Sequence, residues 1–357
     1  FLGACLRFYQ INRALGGGDE NHMLLYFGYT HLQYIATTYF DASNHVFHTM
    51  LVNFMSRSFG EENAIAIRLP TFLFGIAGLG IIYKLALEIF ISRKIALIAL
   101  IISAVNPIHI YYSQTARGYS LIMFFSTAIV YSSVKILKPN PSQWHVVSLI
   151  LCSFLSIYTL PTNIFFMLAL AAWLAFVIFT PQIFKNFKVT IKDKKKKILW
   201  FTSSAMAIVM LSFYSYLPLF DQIVETARNH SLLTFDIQSA SVLILLPGII
   251  DKIFEGPLKY FFPFLLVGLI YGKVRCKSYR YLPIFIFFLP LIIAAFSGAG
   301  GFPRNHLFNF PLFTIFVAAG ISAAGESTGK WFKLGEKQTI ITTMLSAFYL
   351  LTALNVD

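Results

Sequence analysis

Long apolar runs separated by short polar connections dominate the chain. Runs near the ~20 residues that a bilayer requires lie at 64–90, 95–110, 119–137, 144–160, 163–180, 198–217, 257–272, 281–297, 306–324 and 338–354. A further apolar run before Arg13 is too short to span and reads as a truncated first helix, so the pattern predicts about eleven helices. Between the runs, basic residues recur in every second connection: Arg93 and Lys94, Lys135 and Lys138, Lys185 through "KDKKKK" to Lys197, "KVRCKSYR" at 273–280, and Lys330, Lys333 and Lys337. The positive-inside rule assigns those connections to the cytoplasm. The outer side then receives the loop 13–63, turns at 106–118 and 158–163, the loop 218–256 and the turn 298–305. The expected fold is an all-α polytopic membrane protein, with residues 1–357 forming a single transmembrane domain.

Inside the first outer loop the pattern changes. In "NHVFHTMLVNFMSRSFG", Phe47, Met50, Leu51, Phe54 and Met55 recur at helical spacing beside polar His48, Asn53 and Ser56. This predicts an amphipathic helix lying in the membrane surface. "HMLLYFGYTHLQYI" predicts a second one, and two such helices could wall a cavity at headgroup height.

Composition supports the membrane assignment, because 57% of residues are hydrophobic and only 12% charged, against about a quarter charged in soluble domains. A net charge of +13 would suggest nucleic acid in a soluble protein, but here the basic residues sit in short loops and set topology, so no nucleic-acid partner is expected. Cys5, Cys152 and Cys276 are scattered, which suggests neither a disulfide framework nor a metal-binding cluster. Because the sequence begins at Phe1 and not at Met, its termini are expected to be trimmed. Asp19, Glu20, Asp41, Glu61, Glu62, Asp221, Glu225, Asp236, Asp251 and Glu255 all fall on the outer side, as does every His except His145. Acids contribute little to orientation, so their gathering there marks the outer face as the place for chemistry.

Four outer features carry candidate chemistry. In "GGGDEN", Gly16 to Gly18 permit unusual backbone angles beside Asp19 and Glu20, a pair suited to a general base, a metal or simply a solvated loop. In "DASNHVFH", His45 and His48 are three apart, but zinc requires three or four ligands, and capping by Ser43 or Asn44 with the imidazoles lining a polar groove is the simpler reading. In "YYSQTARGYSL", Gln114 and Arg117 would share one face if the segment is helical. An Arg held near the membrane calls for a carboxylate or a ligand phosphate. In "GAGGFPRNH", Arg304 opens a span, where it could bind an anion or snorkel to the interface.

Taken together, "DEN" at 19–21, "NHVFHTML" at 44–51, "RLPTFLFG" at 68–75, "YYSQTARGYSL" at 111–121 and the late "PRNH" resemble the GT-C superfamily of polyprenyl-phosphate-sugar-dependent glycosyltransferases. The resemblance is to the bacterial branch related to protein O-mannosyltransferases, aminoarabinose transferases and lipopolysaccharide sugar transferases. It covers mainly residues 15–125 and the Arg304 turn. Departures are Thr115 for the common Glu, Val46 for Pro and Asn305 for Tyr.

The resemblance implies transfer of a sugar from a polyprenyl-phosphate donor to a hydroxyl of a glycolipid, glycan or protein. The active site would face the periplasm or exterior from the cell (inner) membrane, and transfer would proceed with inversion. Asp19 would be the base, Glu20 would orient the acceptor or a cation, and Arg117 and Arg304 would bind the donor phosphate. His45, His48, Tyr112, Gln114 and Tyr119 would line the pocket, while Arg68 would organise the loop through outer acids. No cofactor is required on this reading, with a divalent cation on Asp19, Glu20 and His45 as an option. Two rivals are a transporter or flippase of a lipid-linked or anionic solute and a noncatalytic GT-C-like subunit. The outer placement of the acids and the absence of a sequence repeat favour the enzyme over a transporter.

Overall fold

The computed structural model describes residues 1–16, 18–180, 191–226, 247–251, 256–297, 303–331 and 342–349, and these contain helices and connections but no strand. Six helices are long and apolar enough to cross a membrane among the described residues, or seven if one bent pair forms a single span. Among the described residues the expected count of eleven is not reached. Gln143–Thr159 and Lys259–Tyr271 form shorter apolar helices, and of the run 338–354 only 342–349 is described.

The axis of the molecule is α5, Ala64–Phe90, preceded by α1 (Leu2–Phe8), α2 (Gly18–Met23), α3 (Leu32–Thr37) and α4 (Val46–Phe59). The side chain of Asn63 accepts from the Ala66 N–H at 3.1 Å and opens α5, and Ile91 in the left-handed conformation closes it. Arg68 lies near one end of α5 and Glu88 near the other, about 30 Å apart at 1.5 Å per residue. Around Glu88 gather Lys135 at 3.0 Å, Arg275 at 3.2 Å and Lys138. Connections 135–138 and 273–280, which the charge pattern assigned to one side, thus meet at one end of the bundle.

The bent pair is α6, Arg93–Val105, and α7, Pro107–Ser113, meeting at 60°. Pro107 has no N–H to continue the ladder, and Asn106 Oδ1 instead accepts from the N–H groups of Ile108 and His109. The carbonyls freed at the end of α6 are taken by Arg7, which donates to Ser103 O at 3.0 Å and Ala104 O at 2.8 Å. Arg7 also donates to His109 Nδ1 at 2.7 Å, so the two terminal nitrogens of a fully buried guanidinium are held by three carbonyls, the third being Gly3 O, and an imidazole nitrogen.

Helix α4 is amphipathic as expected, with its polar face turned inward. His48, Thr49, Asn53 and Ser56 are buried, and Phe54 and Phe59 are exposed, the orientation of a helix lying at a lipid surface. Asn53 Nδ2 donates to Gly28 O and Thr30 O, tying α4 to the preceding segment. That segment is not one surface helix: Leu24–Gly28 is a π turn continuing α2, and a new helix starts at Leu32. Its far end meets the second outer loop, where Tyr39 N–H donates to Gln222 Oε1 at 2.7 Å and Gln222 Nε2 donates to Thr37 O at 2.9 Å. Most of the loop 218–256 lies outside the described residues.

Two helices touch backbone to backbone. A Cβ on Gly268, in Phe262–Tyr271, would stand 1.9 Å from Phe316 O, and one on Gly320, in Phe310–Trp331, 1.9 Å from Phe264 O. Gly320→Ala must therefore part the helices, with an expected loss of about 1–3 kcal/mol from overpacking. Gly80→Ala meets nothing within 4 Å and serves as the control. Thermal unfolding in detergent tests this, and equal midpoints for the two variants would disprove the close contact.

Candidate active site

The first outer loop brings its two adjacent acids to different places. Gly18 (φ 30°) opens α2, and Asp19 and Glu20 occupy its first turn. Glu20 points into the protein and is 2% exposed. There it accepts from Arg68 Nε at 3.0 Å and Nη2 at 2.7 Å, and from the Ala116 N–H at 2.7 Å. Arg68 is fully buried and donates also to the carbonyls of Ile11, Arg13 and Ala14. The pair locks the end of the first helical segment, the acidic turn and the "QTAR" turn onto α5. Arg68 thereby organises the loop. Both Glu20 oxygens are engaged, Oε1 by Arg68 and the Ala116 N–H and Oε2 by Arg68.

Asp19, about half exposed, points the other way. Its Oδ2 is 3.3 Å from Arg117 Nη2 and 3.1 Å from Arg304 Nη1. The Arg117 Nη1 donates to Asp19 O at 3.1 Å and Ser43 O at 3.4 Å. Arg304 arrives from Pro303–Asn309, far along the chain, so the three charged residues expected to act together do converge. Of the run preceding Arg304, residues 298–302 lie outside the described residues.

These groups border a cavity of about 300 Å³, whose walls include Asp19, Glu20, Tyr112, Arg117, Tyr119 and Arg304. Arg13, Tyr111 and Thr115 complete its rim. Tyr112 and Tyr119 lie 4.7 Å apart between ring centroids, and the Arg117 guanidinium is 5.8 Å from the Tyr119 centroid. Arginine against tyrosine gives cation–π support while leaving the guanidinium edge for anions.

Three of the expected pocket residues stand behind this wall. Gln114 Nε2 donates to Leu6 O at 3.0 Å and Tyr9 O at 2.6 Å, so it satisfies the last carbonyls of the first helix. His45 Nδ1 accepts from the Gly118 N–H at 2.9 Å, and its ring meets Tyr119 edge-on at 5.0 Å. A side chain on Gly118 would strike Thr159 and His45, so the glycine permits this close approach next to Arg117. His48 is fully buried in α4. Burial first, then the positive charge of Arg117, hold His45 well below the usual imidazole range and push His48 down to about 3. Both rings are neutral and polar at ordinary pH and brace the Arg117 turn without adding charge. Among the described residues no three His, Cys, Asp or Glu side chains group as metal ligands. The optional trio is split, with Glu20 held by Arg68 and the His45 Nδ1 by a backbone amide.

Arg13 was legible in the sequence only as the end of the truncated span. Its role at the cavity depends on the return of Thr115 from a hundred residues away, which no local pattern carries.

The helical architecture is a GT-C fold, as comparison with solved structures shows. ArnT from Cupriavidus metallidurans in the apo state superposes with a TM-score of 0.64 at 14% identity over 91% of this chain. Its undecaprenyl phosphate-bound structure gives 0.61 at 15% identity over 97%. The archaeal oligosaccharyltransferase AglB from Archaeoglobus fulgidus, in complex with an inhibitory peptide and a dolichol-phosphate, gives 0.55 at 14% identity over 95%. The chain spans 59% and 62% of the two ArnT chains and 51% of AglB. In sequence, residues 46–214 match the family described as dolichyl-phosphate-mannose-protein mannosyltransferase. The fold is shared with these solved structures, and the family match extends over just under half of the chain. A sequence comparison with curated proteins finds no match.

Proposed function

We propose that this protein transfers a sugar from a polyprenyl-phosphate donor to an acceptor hydroxyl of a glycolipid, glycan or protein, at the outer face of the cell membrane. One observation carries the reading: a half-exposed carboxylate, Asp19, stands between two arginines in a cavity at one end of a membrane bundle. The relatives with undecaprenyl phosphate or dolichol-phosphate bound support it at the level of ligand class.

The acceptor oxygen attacks the anomeric carbon of the sugar while the bond from that carbon to the phosphate oxygen breaks. Asp19 takes the acceptor proton. The electron pair of the broken bond leaves with the polyprenyl phosphate, which gains one negative charge. Arg117 and Arg304 receive that charge, so the leaving group needs cations more than a general acid. Attack opposite the phosphate inverts the anomeric centre. The guanidiniums supply the positive charge in this scheme, so turnover should persist in a chelator, and its loss on chelation would show that a cation takes part.

The reading also separates the two roles. Arg117→Ala should weaken binding of undecaprenyl phosphate by about tenfold or more, the scale of a lost charge-assisted contact. An unchanged affinity would confine Arg117 to holding the loop. The central test incubates purified protein with a polyprenyl-phosphate sugar and follows the products by mass spectrometry. Sugar transfer or donor hydrolysis supports the enzyme, whereas lipid movement without bond cleavage supports a transporter. Comparing lipids and glycans from cells with and without the protein identifies sugar and acceptor through the lost mass.

A further inference from the structure

The cavity has one guanidinium with no acid against it among the described residues. Arg13, Arg117 and Arg304 line it together with Asp19 and Glu20. Arg68 neutralises Glu20 from behind, and Asp19 is shared by Arg117 and Arg304. Arg13 is exposed at the rim, and among the described residues no carboxylate pairs with it. Its Nη2 reaches the Gln114 main-chain oxygen at 3.3 Å and Thr115 Oγ1 at 3.4 Å.

The Thr115 hydroxyl spends its proton on Tyr111 O at 2.8 Å, so it offers Arg13 only a neutral lone pair. A carboxylate at this position would have cancelled the guanidinium charge. Threonine positions Arg13 and leaves it charged.

We infer that Arg13, set by Thr115 and the Gln114 carbonyl, forms a second anion subsite that takes a further oxyanion of the substrate. The inference rests on the proposed donor site at Arg117 and Arg304. Two sources share the chemistry: the second phosphate of a diphosphate-linked lipid, or the carboxylate of an acidic sugar. The planar fork of arginine fits both.

Binding to the full chain in detergent tests the subsite. Undecaprenyl phosphate is compared with undecaprenyl diphosphate, and, at saturating undecaprenyl phosphate, glucuronate is compared with glucose. The wild-type protein should bind one of the anionic probes about tenfold tighter than its counterpart, the effect of one added charge-assisted contact. Preference for the diphosphate identifies a second phosphate, and preference for glucuronate identifies an acidic sugar. Arg13→Gln should erase the preference, and Thr115→Glu should do the same by pairing Arg13. Both variants should hold undecaprenyl phosphate within about twofold of wild type, since Arg117 and Arg304 are untouched. The inference fails if the wild type prefers neither anionic probe over its counterpart, or if both variants keep the preference. It also fails if Arg13→Gln weakens undecaprenyl phosphate as much as Arg117→Ala does, for Arg13 then belongs to the first phosphate site. Undecaprenyl phosphate binding with no discrimination overturns the subsite alone, while loss of all lipid binding by the wild type overturns the donor site as well.

Discussion

Asp19→Asn should reduce sugar transfer by about two to four orders of magnitude, the contribution of a positioned general base, while leaving the fold near normal. Stability is spared because Asp19 is about half exposed and its contacts to Arg117 and Arg304 lie at the cavity edge, where ion pairs add little. Donor affinity discriminates further. In the unliganded protein both guanidiniums lean on one oxygen of Asp19, which therefore competes with the phosphate for them. An amide withdraws that competitor, so Asp19→Asn should bind undecaprenyl phosphate as tightly as wild type or more tightly. Turnover should collapse without a matching rise in Kd. Transfer within about tenfold of wild type by a folded variant would sink the base assignment. Loss of phosphate binding together with turnover would make Asp19 a brace for the arginines.

How much of this arrangement the sequence disclosed depends on the distance over which each contact acts. Apolar period and basic spacing predicted an all-helical membrane bundle with Lys135, Lys138 and Arg275 at one end, and these residues do meet at Glu88. Charge and position were enough to single out Asp19, Arg117 and Arg304. The amphipathic period of Val46–Phe59 was equally legible, since it depends only on neighbours within two turns. Gln114 was misleading for a physical reason. Its spacing from Arg117 suggested one shared helix face, but residues 114–118 form no helix, and the amide instead satisfies carbonyls at the end of the first helix. The same limit hid Arg13, whose surroundings come from residues a hundred positions away. Helix count was the least accessible quantity, because Gln143–Thr159 and Lys259–Tyr271 are shorter helices than a full span and only 342–349 of the last apolar run are described.

Glu20→Ala or Arg68→Ala should destabilise the protein far more than Asp19→Asn, although Asp19 and Glu20 are neighbours in sequence. The Glu20–Arg68 pair is almost wholly removed from solvent, at 2% and 0% exposure. Removing one partner strands a buried charge and costs about 3–5 kcal/mol. Arg68→Ala additionally strips donors from the carbonyls of Ile11, Arg13 and Ala14, and Glu20→Ala strips an acceptor from the Ala116 N–H beside Arg117. Either loss frees the turn that carries Arg117, so phosphate binding should fall along with the unfolding midpoint. The double variant carries no stranded charge, and its destabilisation should be smaller than the sum of the two single losses. Thermal unfolding and undecaprenyl phosphate titration of all four proteins measure both effects. If Glu20→Ala unfolds where Asp19→Asn does and keeps its phosphate affinity, the carboxylate is not holding the site together and its burial against Arg68 has no bearing on the arginine turn.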